Sequence, residues 1–535
     1  MKTSAASLAF LFSLCGISCQ FLLVRALDPF IQDEVLCQSV TLGVYLLGMG
    51  AGAALLSRYS PRFPLRILFR AELALALLAA FLVPLCYAAF LALELFSDSW
   101  LLESLGATKL LLLVLFQPFA FALGALSGLE IPLLSQWLES RGEKNTVTFA
   151  LAFSYFGAIG GAFFVSFLLL PGLELGAAAL TVSLLTLLLS STIPFLPQEN
   201  RRVARALPAV SAIVCVQLFL GHALPPMEQA MLKTGYLELR LGEYSLQGIS
   251  QWWHALKGFA PVERHQTRYQ TIDLIPDRFL LSDAIRSDFA MYLNFQPQFT
   301  RDSAPAYHES MVFGALAIAR NTVRKALVLG GGDGLIVREL LRAGVQEVVL
   351  VELDPAMLKL ALEHPVLRAL NRDSLRDKRV RIIADDAFRF ARENRETFDG
   401  IFADLPFPVS YDLLKLYSVE FYSALHARLT EGGFLVFDAP LRGGQGSRAP
   451  KPTPQEIFHA TLLAAGWQQL LAFGPMEPFF FASSSPEIAS FDYSRLPPGL
   501  SGKTLFNLAA LPWALKDEAD PALVNSALRP RRVRW

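Results

Sequence analysis

The feature that most constrains this chain is the crowding of its long apolar runs into one end. Up to about residue 222, weakly charged stretches recur near 5–27, 35–57, 70–95, 108–134, 147–170, 174–196 and 206–222. A helix needs roughly 20 apolar residues to cross the hydrocarbon of a bilayer, so these read as candidate membrane spans, the last of them short. The run at 5–24 could by itself pass for a signal peptide, but equally long runs follow it. Small residues line the second span (Gly43, Gly48, Gly50, Gly52) and the fifth (Gly157, Gly160, Gly161). They let helix backbones approach closely where lipid offers no hydrophobic drive, which predicts a bundle. The first expectation is therefore a polytopic α-helical membrane domain over 1–222.

Charge placement gives its orientation. Arg58, Arg62, Arg66 and Arg70 follow the second span, Arg201, Arg202 and Arg205 follow the sixth, and Asp28, Asp33 and Glu34 follow the first. The positive-inside bias puts the N-terminus and the 197–205 loop in the cytoplasm. Arg25, at the end of the first span, can snorkel to the interface. Glu130 lies in Gly-Leu-Glu-Ile-Pro near the end of the fourth span. Carboxylates within a membrane are commonly functional, but the plainer reading sets Glu130 at the interface beside Pro132. No paired intramembrane charges stand out, so the pattern does not argue for a transporter.

The remainder reads as a globular polypeptide. All five cysteines (Cys15, Cys19, Cys37, Cys86, Cys215) fall in the apolar part, without a Cys-x-x-Cys pair or a Cys/His cluster. No structural metal or disulfide framework is expected. The formal net charge is zero, which gives no field for nucleic acid. Residues 223–267, with Pro225, Pro226 and the pair Trp252-Trp253, read as a connecting segment. The tryptophans suit either a membrane interface or packing on the globular part. Alternation over 269–299 predicts short antiparallel strands within a small β substructure, 268–320. His265 and His364 read as surface residues. Residues 491–535 read as a C-terminal tail, whose Arg529, Arg531, Arg532 and Arg534 could meet anionic headgroups.

Between them, over 321–490, lies an α/β core. An apolar strand at 325–329 runs into Gly330-Gly331-Gly332-Asp333-Gly334, and helical periodicity follows over 335–342. Strand, glycine turn and helix in that order mark a Rossmann-like start. Asp333 inside the turn would repel a pyrophosphate and favour a cationic ligand. The second strand, 347–352, ends in Glu352, about 20 residues past the turn, where an acid suits a ribose diol. A third strand, 380–383, runs into Asp385-Asp386, and a fourth, 398–403, into Asp404-Leu405-Pro406-Phe407-Pro408. Ligands of such sheets bind at the carboxyl ends of the strands, so Asp333, Glu352, Asp386 and Asp404 are expected to share one crevice. Singly, each could instead be a turn or helix-capping carboxylate. Together they suit a sulfonium nucleoside.

These residues resemble the spermidine synthase (polyamine aminopropyltransferase) family, in its membrane-fused bacterial form, over about 268–484. The matching motifs are Tyr269-Gln270, Gln298, Tyr307-His308-Glu309, Gly331-Gly332-Asp333-Gly334, Val351-Glu352-Leu353-Asp354 and Leu416-Tyr417-Ser418 with Phe421-Tyr422. The resemblance implies a class I methyltransferase-type fold and a transferase. Its co-substrate would be decarboxylated S-adenosylmethionine, with no permanently bound cofactor and no metal, and its acceptor a small amine. Gln298, His308, Glu352 and Asp386, with the turn glycines Gly330, Gly332 and Gly334, would hold the nucleoside. Asp333 would take the ammonium of the aminopropyl arm, and Asp404 and Tyr269 would orient the amine, with Asp404 accepting its proton. Such a co-substrate implies a cytoplasmic catalytic domain on the inner membrane. One of seven candidate spans must then fail to cross. Homo-oligomer formation is left open.

Two departures fall on the acceptor side. Phe407 stands where the family has a second aspartate, which Asp412 or Asp438 could replace, and Gly474-Pro475-Met476-Glu477-Pro478-Phe479 stands where the family has Gly-x-Trp-Gly-Phe. They imply a shifted acceptor, or a catalytically silent nucleoside or polyamine sensor with nucleoside binding retained; a methyltransferase using S-adenosylmethionine itself is the other alternative to aminopropyl transfer.

Overall fold

The structure is a computed structural model. It describes residues 2–31, 34–57, 61–95, 108–193, 207–241, 257–275, 289–406, 408, 411–438, 452–485, 490–514 and 520–530. The chain divides into two compact units, Met1–Ser287 and Asp288–Trp535. Phe407, Trp252, Trp253 and the side chain of Asp412 lie outside the described residues.

Unit 1 is a helix bundle followed by a hairpin. Its helices are α1 (Lys2–Ile31), α2 (Glu34–Ser57), α3 (Pro64–Leu95), α4 (Thr108–Leu115), α5 (Gln117–Gly128), α6 (Glu130–Glu139), α7 (Thr146–Phe163), α8 (Leu175–Ser190) and α9 (Leu207–Leu241). The glycines act through close approach. A Cβ on Gly48 would fall 2.3 Å from the Phe121 carbonyl oxygen, and one on Gly124 would fall 2.0 Å from that of Tyr45. Backbone contact between α2 and α5 therefore requires glycine at both positions. Gly157 and Gly161 bring α7 against α1 in the same way, whereas Gly43 and Gly50 meet nothing within 4 Å.

Among the described residues, six helical stretches are long and apolar enough to cross a membrane: Thr3–Asp28, Val35–Leu56, Pro64–Ala92, Leu113–Glu139, Thr146–Leu169 and Ala209–Thr234. Six lies within the expectation that one of the seven candidates fails to cross. The candidate at 174–196 forms α8, whose 16 residues give about 24 Å at 1.5 Å per residue, less than the roughly 30 Å of hydrocarbon. The candidate at 206–222, expected to be short, continues as α9 through Pro225 and Pro226. Each proline removes one hydrogen bond, but its fixed φ is helical. The extension of α9 is fastened to residues 262–273. Gln229 exchanges hydrogen bonds with the backbone of Val262 at 2.9 and 3.0 Å. Tyr236 donates to Asp273, which also accepts Arg264 through both oxygens at 2.8 and 2.7 Å. Arg264 and Asp273 belong to the antiparallel hairpin β1 (Glu263–Gln266) and β2 (Thr271–Ile275). Part of the expected linker is thus regular structure. His265 is half-buried in β1 rather than a surface residue.

Unit 2 opens with the antiparallel pair β3 (Ala290–Leu293) and β4 (Gln296–Thr300), then α10 (Ala304–Ile318). The core comprises β5 (Lys325–Gly330), α11 (Leu335–Arg342), β6 (Glu347–Glu352), α12 (Pro355–Glu363), α13 (Pro365–Asn371), β7 (Val380–Ala384), α14 (Ala387–Glu393) and β8 (Phe398–Asp404). It continues as α15 (Tyr411–Leu414), α16 (Val419–His426), β9 (Leu429–Asp438), α17 (Pro454–Ala464), β10 (Gln469–Phe473), β11 (Phe479–Ser483), α18 (Gly502–Leu508) and β12 (Trp513–Ala514). The sheet order is β12-β10-β11-β9-β8-β5-β6-β7. From β9 through β8, β5 and β6 to β7 all neighbours are parallel, and β11, β10 and β12 are added antiparallel.

Strand alternation divides the core between two faces. Leu327, Leu329, Val349 and Val351 pack with Phe390, Phe421, Leu425 and Phe458 from α14, α16 and α17. Ala326, Val328, Val348 and Leu350 pack on the other face with Met311, Ile336 and Leu358 from α10, α11 and α12. Strands buried on both faces read as unbroken apolar runs, which is why their limits were legible. His364 is half-buried beside the Phe289 ring, at 6.1 Å between centroids, and is not the surface residue expected. The segment from 491 onward is tied into unit 2 rather than trailing from it. Glu309 on α10 accepts from Arg342 at 2.9 Å, the Thr504 hydroxyl at 2.6 Å and the Ser501 N–H at 2.9 Å, and β12 pairs with β10. Arg529 is exposed, and the last arginines lie outside the described residues.

Candidate active site

In unit 2 the chain leaves β5 for one side of the sheet at β6 and for the other at β8, so the carboxyl ends of β5, β6 and β8 form the topological switch point of the sheet. The glycine turn sits there. Gly330, Gly331 and Gly334 have φ of +76°, +64° and +82°. A Cβ on Gly330 would fall 2.0 Å from the Asp404 carbonyl oxygen, so only glycine lets the end of β5 lie against the end of β8. A Cβ on Gly332 would fall 2.8 Å from the Glu352 side chain. The missing side chains therefore bring Asp404 and Glu352 up to the turn.

The acids are held in place. Asp333 Oδ1 accepts the Leu335 N–H at 2.8 Å, at the start of α11. Asn371 donates to the Asp333 carbonyl at 2.9 Å, and the Ser374 hydroxyl to that of Gly334 at 2.8 Å. Glu352 accepts the Asp354 N–H at 2.8 Å. The Tyr307 hydroxyl donates to Asp404 Oδ1 at 2.9 Å. Tyr417 donates to the carbonyls of Leu405 and Pro406 at 3.3 and 3.2 Å, which steadies the backbone after Asp404. His308 is buried, with Nδ1 2.7 Å from the Ala304 carbonyl. Ligand-type atoms of His308, Asp333 and Asp404 lie within 4.8 Å of one another. Three such donors could hold a metal ion, and the same closeness suits an organic cation.

The electrostatics favour a positive ligand. Burial pushes Asp333 up to about 6, against the Leu335 N–H and the Arg338 charge. Burial pushes Glu352 up to about 7, with the Asp354 and Asp333 charges adding to it and the Asp354 N–H opposing it. Burial and the charge of Asp333 push Asp404 up to about 6, while His308 and the Tyr307 hydroxyl oppose the rise. Asp438, at the end of β9, is raised well above the carboxylate range by burial, then by Asp404 and Glu477. His308 is held below the ordinary imidazole range by burial. A cation entering the crevice would reverse these carboxyl shifts.

The remaining expected residues stand apart in different ways. Asp386 ends β7 on the same rim, but it caps α14 through the Phe388 and Arg389 N–H groups and pairs with Lys415 at 2.8 Å. Burial raises it, and these partners outweigh burial and leave it lowered. Gln298 is exposed on β4, its amide donating to the Gln296 carbonyl at 3.3 Å. Tyr269 belongs to unit 1, in the β1–β2 turn, 46% exposed. Tyr307, Asn371, Ser374 and the bracing role of Tyr417 were missed. Tyr307 and Tyr417 had a signal, since they stand in the Tyr-His-Glu and Leu-Tyr-Ser motifs; Asn371 and Ser374 had none.

Residues 304–440 match the family model described as the spermine/spermidine synthase domain. A protein of Streptomyces coelicolor named polyamine aminopropyltransferase 1 is 31% identical over 451 residues, covering 83% of this chain and 76% of its own. The chain belongs to the polyamine aminopropyltransferase family. A second aminopropyltransferase, from Leptospira interrogans, is 30% identical over 439 residues, covering 81% of this chain and 78% of its own. Either alignment is longer than unit 2, so the likeness reaches into the helical unit, beyond the 268–484 that the motifs marked out. Among solved structures, a spermidine synthase in complex with the transition-state analogue AdoDATO is 20% identical, covering 46% of this chain and 85% of its own, with a TM-score of 0.38.

Proposed function

We propose that unit 2 transfers an aminopropyl group from decarboxylated S-adenosylmethionine to a small amine and releases methylthioadenosine. The observation that carries this reading is the convergence of Asp333, Glu352, Asp404 and His308 at the switch point, with burial raising all three carboxyls. In it, Glu352 takes the ribose hydroxyls, His308, Gln298 and Asp386 hold the rest of the nucleoside, and Asp333 pairs with the ammonium of the aminopropyl arm. The amine lone pair attacks the terminal carbon next to sulfur. The C–N bond forms as the C–S bond breaks, and its electron pair neutralises the sulfonium. The nitrogen then carries the positive charge and passes a proton to Asp404. A carboxylate with a pKa near 6 is better matched to that transfer than an ordinary aspartate. Attack on so good a leaving group otherwise needs mainly positioning.

Asp404 would also orient the amine. With Phe407 in place of the family's second aspartate, Asp438 is the replacement we favour, because its carboxyl lies within the field of Asp404. Asp333 also argues against a methyltransferase, whose donor carries a carboxylate beside the amine. The test is incubation of the full chain with decarboxylated S-adenosylmethionine and a panel of amines. Methylthioadenosine release with at least one amine is expected, and none with any amine would end the reading. Calorimetry should show weaker binding of S-adenosylmethionine itself.

Unit 1 we place in the inner membrane, with unit 2 on the cytoplasmic side. Its helices present Leu47, Phe156, Ile159, Phe163 and Phe219 outward while burying Glu72, Glu130 and Ser183, the reverse of a water-soluble bundle. Six crossings, an even number, return the chain to the side on which it began.

A further inference from the structure

Glu130 does not take the interfacial place expected of it. It is 2% exposed inside the bundle, at the first residue of α6, where the fourth span breaks at Leu129. It has an acidic neighbour that no sequence motif marks. Glu72 on α3 is 1% exposed, and its carboxyl interacts electrostatically with that of Glu130. Helix α3 packs against α6, and α1 packs against both.

The surroundings are polar and under-bonded. The Ser13 hydroxyl donates to Glu130 Oε2 at 3.4 Å and lies 2.5 Å from the Ser154 hydroxyl. Gly16, one turn along α1 from Ser13, leaves room for its neighbours, since a Cβ there would fall 2.5 Å from Ser127 Oγ and 3.1 Å from the Tyr45 hydroxyl. Gln20 continues that stripe of α1, and Thr41 lies one turn before Tyr45 on α2. Glu72 Oε2, Glu130 Oε1, Thr41 Oγ1 and both amide atoms of Gln20 are buried without a hydrogen-bond partner, and the Ser127 hydroxyl, close to both Glu130 and Tyr45, makes no well-formed bond to either. None of these five residues is more than 4% exposed. Among the described residues neither carboxyl has an ion pair. A buried polar group left unpaired destabilises the fold, and an unpaired buried charge does so more. A concentration of such groups in one bundle core is what a binding site looks like before its ligand arrives.

Two carboxylate oxygens and the Gln20 carbonyl can only accept, the two hydroxyls can accept as well as donate, and the Gln20 amide can only donate. Their complement is a cation with several N–H donors. We propose that the bundle core of unit 1, centred on Glu72 and Glu130, is a second binding site, for the ammonium groups of a short aliphatic polyamine. The choice of a polyamine over another ammonium ion rests on the function proposed for unit 2.

The test is equilibrium binding of radiolabelled putrescine to the full chain in lipid nanodiscs, on an Asp404→Asn background that disables the amine side of unit 2. One equivalent per chain is expected to remain. Adding Glu72→Gln or Glu130→Gln should weaken it at least tenfold, Gln20→Leu several-fold, and Glu130→Asp least. Spermidine should compete, and sodium chloride at equal ionic strength should not. Methylthioadenosine release by Glu72→Gln and Glu130→Gln in the otherwise native chain should be unchanged, which shows that they fold. No binding on the Asp404→Asn background, binding indifferent to both glutamine variants, or displacement by sodium as readily as by spermidine would each overturn the proposal. Should the native chain release no methylthioadenosine, the reading of unit 2 fails while this binding result stands by itself.

Discussion

In unit 2 each carboxyl of the crevice already holds a donor: the Leu335 N–H on Asp333, the Asp354 N–H on Glu352, the Tyr307 hydroxyl on Asp404. In unit 1, Glu130 has the Ser13 hydroxyl for one oxygen, and its other oxygen, like Glu72 Oε2, has no partner. The first set stands on strand ends and a helix start, elements that fix geometry to a fraction of an ångström. The second stands on side chains from separate helices, where an occupant would complete the bonding. Preorganised acids suit chemistry, which needs a defined attack line. Under-bonded acids suit capture of a ligand.

The largest effect that would sharpen this contrast is on turnover. Asp404→Asn should lower kcat for methylthioadenosine release by about 10²–10⁴-fold, as expected for loss of a positioned base. The same variant should leave putrescine binding in the bundle intact. If it abolishes both, the bundle holds no site of its own. Glu352→Gln should act on binding instead, raising KM for the nucleoside about 10–100-fold through loss of charge-assisted hydrogen bonds, with a smaller change in kcat.

A stability effect of opposite sign should accompany the loss of activity. Asp404 has a folded-state pKa raised to about 6, above its unfolded value near 4. Folding therefore favours the protonated acid. The resulting cost is absent well below pH 4, grows as pH rises through that window, and is complete above 6. Asp404→Asn, which removes the titration and still accepts from Tyr307, should raise apo stability at pH 8 by about 1–3 kcal/mol and have little effect at pH 4. Urea denaturation at the two pH values would show it. Equal effects at both would mean that the acid is not strained in the folded state. In the native enzyme the acid limb of kcat/KM should fall near pH 6 for the same reason. The smallest expected effect is structural. Asn507→Ala removes the acceptor of the Met476 and Glu477 N–H groups at 2.9 and 3.0 Å and should cost about 1–3 kcal/mol, loosening the turn whose Glu477 charge acts on Asp438.

What could be read in advance depends on how local each signal is. The strand limits of β5, β6 and β8 and the acids at their ends were legible because a parallel strand buried on both faces is an apolar run with a polar stop. Asp386 was legible as an acid on the rim and as a candidate helix cap, but its pairing with Lys415 depends on a residue 29 positions away. The braces of the glycine turn, Asn371 and Ser374, reach back 38 and 40 residues, and neither has a local pattern. Glu72 was hidden by a boundary. With the span taken to begin at 70, nothing in the sequence singled it out. The helix begins at Pro64, which sets Glu72 two turns inside.

The clamp on Glu309 has a consequence for how the protein comes into being. Glu309 lies near the start of unit 2, and its partners Ser501 and Thr504 emerge from the ribosome almost 200 residues later. Until then α10, which carries both His308 and Tyr307, lacks two of the contacts that anchor it. The nascent chain can assemble its helical unit and most of its sheet first, and it becomes competent only after residues 501–504 have been made.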